Sequence, residues 1–221
     1  MIASTIDHTL LSPAATRADI ARICREARTY GFATVCVQPV RVAEAARLLA
    51  DTSVGVCTVV GFPHGANGGA AKAAEAARAI SDGATEVDMV MNLGAAKDGD
   101  WETVAEEMKA VKAAVGTHVL KVILESSQLT EDEIVAACRA AMAAGVDFVK
   151  TSTGFTGGGA TVEAVTLMRR TVGDTMRVKA AGGIRDYATA QAMLAAGADR
   201  IGASAGVRIC EEEAAGGKDK A

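Results

Sequence analysis

Three lysines stand where buried strands rarely carry charge: Lys121 in VLKVILE, Lys150 in VDFVKTSTG and Lys179 in MRVKAAGG. An ammonium enclosed by apolar neighbours must be paired, neutralised or used in chemistry. A lysine at a strand end can also carry its charge out to solvent along its stem, and that reading suffices for a single lysine. Lys150 and Lys179 are a different case, because each comes just before a small-residue turn, on consecutive strand candidates. A lysine nucleophile needs its free amine, and an unperturbed lysine, with a pKa of ~10.4, is protonated at neutral pH. A second ammonium close by, or partial desolvation, disfavours that charge. The pair therefore points to Schiff-base chemistry, in which one amine attacks a carbonyl while the other stays charged.

Acidic residues appear in similar runs. Asp88 lies inside EVDMVMN, where it is either a structural partner for a strand lysine or a proton relay that also balances the lysines. Asp7, in IDHTLL, is a similar case. Lys121 and Glu125 are four apart and share a strand face, so an internal ion pair is as reasonable for Lys121 as a catalytic role. Glycine-rich turns follow several runs: Gly154 to Gly159, Gly182-Gly183 after Lys179, and Gly202 to Gly206. Backbone N–H groups at such turns and at helix N-termini bind phosphate.

Other chemistries find little support. His8, His64 and His118 are scattered, and no HExxH or CxxC spacing occurs, so no metal site is expected. Ser126, Ser127 and Ser152 lack a GxSxG elbow. Cys36 reads as a core residue.

The elements that must hold these residues alternate regularly. Val/Ile-rich runs predict strands at 4–9, 34–37, 55–60, 86–91, 119–124, 147–151, 176–180 and 200–203. Ala-rich segments of helical period predict helices at 17–31, 40–50, 68–82, 101–115, 130–144, 161–172 and 186–196, with a last one from about 207. Thr130 and Glu133 form a capping-box signature. Gly31, Gly83, Gly116, Gly145 and Gly197 each follow a helix, as left-handed C′ residues do. Eight strand–helix units average about 28 residues, close to the ~30 of a βαβ repeat. Continuous apolar strands fit a parallel sheet covered by helices. The expected fold is a single-domain α/β (β/α)8 TIM barrel over 1–210, with 211–221 as a solvated, flexible tail. An open doubly wound sheet is the rival, and no GxGxxG follows the first strand to support it. In a barrel, the strand ends that carry Lys150 and Lys179 form the active face, and phosphate commonly sits after strands 7 and 8.

Composition agrees with a globular protein. Of 221 residues, 50% are hydrophobic but only 3% aromatic, with 23 Gly and 3 Pro. Disordered and collagen-like classes do not have this profile. With 23 basic and 27 acidic residues the net charge is -4, and no basic patch suggests nucleic acid. The uncharged stretch from Val54 to Ala71 holds Pro63, His64, Asn67 and five glycines, so no membrane span is expected there. The opening MIASTIDHTLL has no basic region, so a secretory signal is not expected. Five cysteines without a CxxC pair fit reduced thiols in a cytoplasmic protein.

The phrases IDHTLL, GFATVCV, VCTVVGFPHGAN, EVDMVMNLGA, LKVILE, DFVKTSTGF, VKAAGGIR and RIGAS, from Ile6 to Val207, resemble deoxyribose-phosphate aldolases of the short bacterial type. The resemblance implies a (β/α)8 barrel that cleaves 2-deoxy-D-ribose 5-phosphate reversibly to D-glyceraldehyde 3-phosphate and acetaldehyde. It implies no metal or organic cofactor and a homodimer. It assigns the imine to Lys150, its perturbation to Lys179 and proton transfer to Asp88, with Lys121 and Asp7 lining the site. It assigns phosphate binding to Thr153, Gly182, Gly183, Gly202 and Ser204. The sequence departs from the family pattern at Gln38, where Asn is common, at Ala205, where many members have a second serine, and at Phe155, where some have lysine. These departures bear on phosphate affinity and substrate range. A Schiff-base aldolase for another sugar phosphate, and a barrel that binds a sugar phosphate without chemistry, are the alternatives.

Overall fold

A computed structural model describes residues 1–216. Eight strands occur in chain order: β1 (Ile6–Leu10), β2 (Thr34–Val37), β3 (Gly55–Val60), β4 (Glu86–Val90), β5 (Val119–Ile123), β6 (Phe148–Lys150), β7 (Arg177–Ala181) and β8 (Arg200–Ala203). Each pairs in parallel with the next, and β8 pairs back onto β1, so the sheet closes into a barrel. Helices α1 (Arg17–Tyr30), α2 (Val42–Leu49), α3 (Gly69–Ser81), α4 (Leu93–Lys97), α5 (Trp101–Val115), α6 (Glu131–Ala143), α7 (Val162–Val172), α8 (Tyr187–Ala195) and α9 (Gly206–Gly216) fill the connections.

Local chemistry sets the helix ends. Thr16 with Asp19, and Thr130 with Glu133, form reciprocal capping boxes on α1 and α6. Gly31 closes α1 in the left-handed region, at φ 70° and ψ 44°, where a Cβ would be unfavourable. The main apolar core lies between the barrel's outer face and the helices, and includes Ile20, Val35, Val87, Leu120, Val149, Val178 and Ile201. A second, smaller group, Leu11, Cys36, Cys57 and Val59, packs with Phe62.

The structure departs from the expectations in places. Residues 2–5 form a 3-10 turn rather than the start of β1, because the Thr5 hydroxyl donates to the Ile2 carbonyl at 2.7 Å. Strand β6 is shorter than 147–151, since the Asp147 carboxylate turns aside to accept from the Leu120 N–H at 2.8 Å and from Lys112 at 2.6 Å. Helix α4 was not expected; its five residues are too short for a periodic signal, and Asn92 caps it. The expected tail over 211–221 is corrected for 211–216, which continue α9. That end is tied down: Glu213 accepts from the Ile2 N–H at 3.0 Å and Glu212 from the Tyr187 N–H at 2.8 Å. Residues 217–221 lie outside the described residues.

Candidate active site

Strand alternation determines which side chains enter the barrel. Lys150 is the register partner of Lys179, and Asp88 that of Lys121. Asp7 is opposite Gly202 on the β1–β8 seam, which leaves room for the long side chains. Asp7, Asp88, Lys121 and Lys179 are all fully buried, and Lys150 is 3% exposed.

Asp88 is the hub. Its Oδ2 accepts from Lys150 and from Lys179, each at 2.8 Å, and its Oδ1 accepts from Lys121 at 2.8 Å. Asp7 accepts from Lys179 and, at 2.6 Å, from Arg200. Lys121 also meets Glu86 at 2.5 Å and lies 3.7 Å from Asp7. The cations therefore have unequal support. Lys121 has three carboxylates, Lys179 and Arg200 have two each, and Lys150 has Asp88 alone.

Burial by itself would push the Lys179 ammonium down, but Asp7 and Asp88 outweigh it and hold the group well above the usual lysine range. Lys121 is raised in the same way, against burial, with Asp88 as the strongest support. Burial would raise the Asp88 carboxyl, yet Lys121, Lys150 and Lys179 together hold it well below the usual carboxylate range. Asp7 is likewise lowered, by Lys179, Lys121 and Arg200 against burial.

Lys150 is the member of this cluster that opens outward. It lines a cavity of about 340 Å³ at the C-terminal ends of the strands, together with Thr153, Gly182, Gly183, Gly202 and Ser204. The three turns singled out from sequence thus converge on one amine. Arg185 lines the same cavity and supplies a cation that sequence reasoning did not include. A wider cleft of about 570 Å³ lies at the opposite end of the barrel, beside Asp147, Asp174 and Arg177, away from the lysine cluster. Conserved chemistry in this fold sits at the C-terminal face, which favours the smaller cavity.

One sequence expectation changes. Lys121 does not pair with Glu125: Glu125 leaves the strand at φ 55° and its Oε2 instead accepts from the Thr153 N–H and hydroxyl, at 3.2 and 2.5 Å. Three members of the cluster, Glu86, Arg200 and Cys57, were missed. Glu86 carried a signal, since it stands two residues before Asp88 and so shares its face. Cys57 Sγ donates to Asp88 Oδ1 at 3.1 Å.

Cys36, Cys57 and Asp88 come close enough to form a ligand set, as do Asp7, Cys57 and Glu86, groupings no local spacing reveals. The donor chemistry does not suit a cation there. The three carboxylates already accept from ammonium or guanidinium groups, so a metal ion would have to displace them.

The family described as DeoC/LacD aldolases matches residues 1–212. Deoxyribose-phosphate aldolase 1 of Cutibacterium acnes is 56% identical over 214 residues, covering 97% of this chain and 99% of the relative. The deoxyribose-phosphate aldolase of Brevibacillus brevis is 58% identical over 204 residues, 92% of each chain. The tetrameric deoxyribose phosphate aldolase structure from Aeropyrum pernix superposes with a TM-score of 0.88 at 36% identity, covering 96% of this chain and 91% of that one.

Proposed function

The chain belongs to the DeoC/LacD family of aldolases, and from that premise we propose that it cleaves 2-deoxy-D-ribose 5-phosphate reversibly through an imine on Lys150. The products are D-glyceraldehyde 3-phosphate and acetaldehyde. One observation carries the assignment: Lys150 alone of the three clustered lysines lines the cavity, and it has the fewest carboxylate partners.

The charge count explains how its amine becomes free. Asp7, Glu86 and Asp88 face Lys121, Lys150, Lys179 and Arg200, so three negative charges meet four positive ones. Lys150 is joined to Asp88 alone, and Asp88 keeps Lys121 and Lys179, so engaging the Lys150 nitrogen in chemistry leaves no carboxylate unpaired. Lys179 and Lys121 stay charged because their carboxylates outweigh the cost of burial.

The Lys150 Nζ lone pair attacks the sugar's C1 carbonyl, giving a carbinolamine. Loss of water gives the protonated imine. As the 3-hydroxyl loses its proton, the C2–C3 electrons flow into the imine, releasing glyceraldehyde 3-phosphate and leaving an enamine. Protonation at C2 and hydrolysis return acetaldehyde and the amine. Asp88 Oδ2 touches both Lys150 and Lys179, so protons moving at the Lys150 nitrogen pass by way of it. The phosphate lies against the turns at Gly182, Gly183, Gly202 and Ser204, with Arg185 beside them.

The chain works as a homodimer in the cytoplasm. Five free, buried thiols suit a reducing compartment. No described helix is long and apolar enough to cross a membrane. Val40 is 87% exposed and offers apolar surface for a partner copy. Acetaldehyde with borohydride tests the chemistry: one ethyl group should appear on the peptide carrying Lys150. Labelling of Lys179 instead would overturn the assignment.

A further inference from the structure

Glu125 is the one non-glycine residue with a positive φ among the described residues, and it is fully buried. A left-handed backbone is unfavourable for a residue with a Cβ, and a buried carboxylate away from any cation is costly. Both burdens fall on a single side chain just after β5. What that side chain does is local and specific. Its Oε2 takes the N–H of Thr153 at 3.2 Å and the Thr153 hydroxyl at 2.5 Å. The Thr153 oxygen in turn accepts from the Phe155 N–H at 3.1 Å. The hydroxyl proton and the amides on either side of Gly154 are therefore committed to this brace. The Gly154 N–H has no partner among the described residues, and Gly154 lines the cavity beside Lys150.

We propose that Glu125 is a positioning residue for the anionic end of the substrate. By drawing both Thr153 hydrogens to itself, it sets the turn after β6 so that the Gly154 amide, rather than the Thr153 hydroxyl, faces the phosphate. This rests on the aldolase reading above and reassigns Thr153 within it, from a direct phosphate ligand to part of the brace.

Glu125→Gly is the informative change, because glycine adopts φ 55° without strain and only the carboxylate is lost. With 2-deoxyribose 5-phosphate, kcat/KM should fall about 10- to 150-fold, the factor a hydrogen bond to a charged group corresponds to, and mainly through KM. Unphosphorylated deoxyribose should change less than about threefold, and acetaldehyde trapping on Lys150 should be retained. Glu125→Gln, whose amide oxygen can accept the same two hydrogens, should recover most of the loss. The double variant Glu125→Gly/Thr153→Val should be no worse than the poorer single variant, since both break one brace. Equal losses on the two sugars, or effects that multiply in the double variant, would overturn the proposal. If Glu125→Gly does not fold, the same sugar comparison on Thr153→Val, alone and combined with Glu125→Gln, decides it by the same criteria. Absence of turnover and trapping in the unsubstituted protein would instead overturn the aldolase reading, and this proposal with it.

Discussion

Two lysine sites in this protein are equally buried and chemically opposite. Under α3 and α5, Lys72 is fully buried and pairs with Glu107 at 2.8 Å; Asn92 donates to the other Glu107 oxygen at 3.2 Å. One cation meets one anion, and neither lines the cavity at the barrel mouth. Inside the barrel, Lys150 shares Asp88 Oδ2 with a second ammonium, in a cluster with one cation too many, and it opens on that cavity. Burial and pairing are common to both sites. In the proposed mechanism the reactivity of Lys150 rests on the unequal division of carboxylates and on access, both of which the Lys72 site lacks.

The largest expected contrast comes from deleting each lysine. Lys150→Ala should remove turnover by ~10³-fold or more and abolish borohydride labelling, as expected when a covalent nucleophile is lost. Lys72→Met should leave kcat within about twofold but strand Glu107 beneath the helices, at a stability cost of ~3–5 kcal/mol seen in urea denaturation. A Lys72→Met protein that is as stable as the parent but inactive would erase the comparison.

A finer test removes the surplus charge. Lys179→Leu leaves three carboxylates facing three cations, so the surplus positive charge is gone. Activity should drop most near neutral pH, and the acidic limb of the kcat/KM–pH profile should move to higher pH. The sign follows from the charge: losing a neighbouring ammonium favours the protonated amine, so a higher pH is needed to free it. An unshifted profile with full activity would reduce Lys179 to a structural ion.

The smallest effect concerns the cavity's rim. Ala205 offers no hydroxyl beside Ser204, and the proposed anion site is left with backbone donors, the Ser204 hydroxyl and Arg185. Ala205→Ser should tighten 2-deoxyribose 5-phosphate by no more than ~2- to 13-fold, one neutral hydrogen bond, and leave unphosphorylated deoxyribose unchanged. A larger gain, read from KM on both sugars, would show that side-chain hydroxyls dominate the anion site.

Much of the barrel was legible because its signals are local. Strands β2, β3 and β8 are bounded as the sequence suggests, since each is a continuous apolar run flanked by turns. Lys121, Lys150, Lys179 and Asp88 stood out for a similar reason, as charges inside such runs. What escaped depends on residues far apart. Arg200 reaches Asp7 across 193 residues, and no local pattern encodes that contact. Glu125 was misread because a spacing of four implies a shared face only while the backbone stays extended, and β5 ends at Ile123, before the left-handed turn at Glu125. The residues after 210 read as a charged tail, yet two of those charges, Glu212 and Glu213, are acceptors for distant backbone amides.

The seam between β1 and β8 gives the reactive centre a schedule. Asp7 stands on one side of it, and its partners Lys179 and Arg200 follow 172 and 193 residues later. A nascent chain therefore carries Lys150 well before the last members of its charge balance have been synthesised. The ring must close before Asp7 can meet either Lys179 or Arg200. On the proposed reading, ring closure would act as an interlock: an unfinished barrel would hold a lysine like any other, and the completed circle would bring the full set of partners around it.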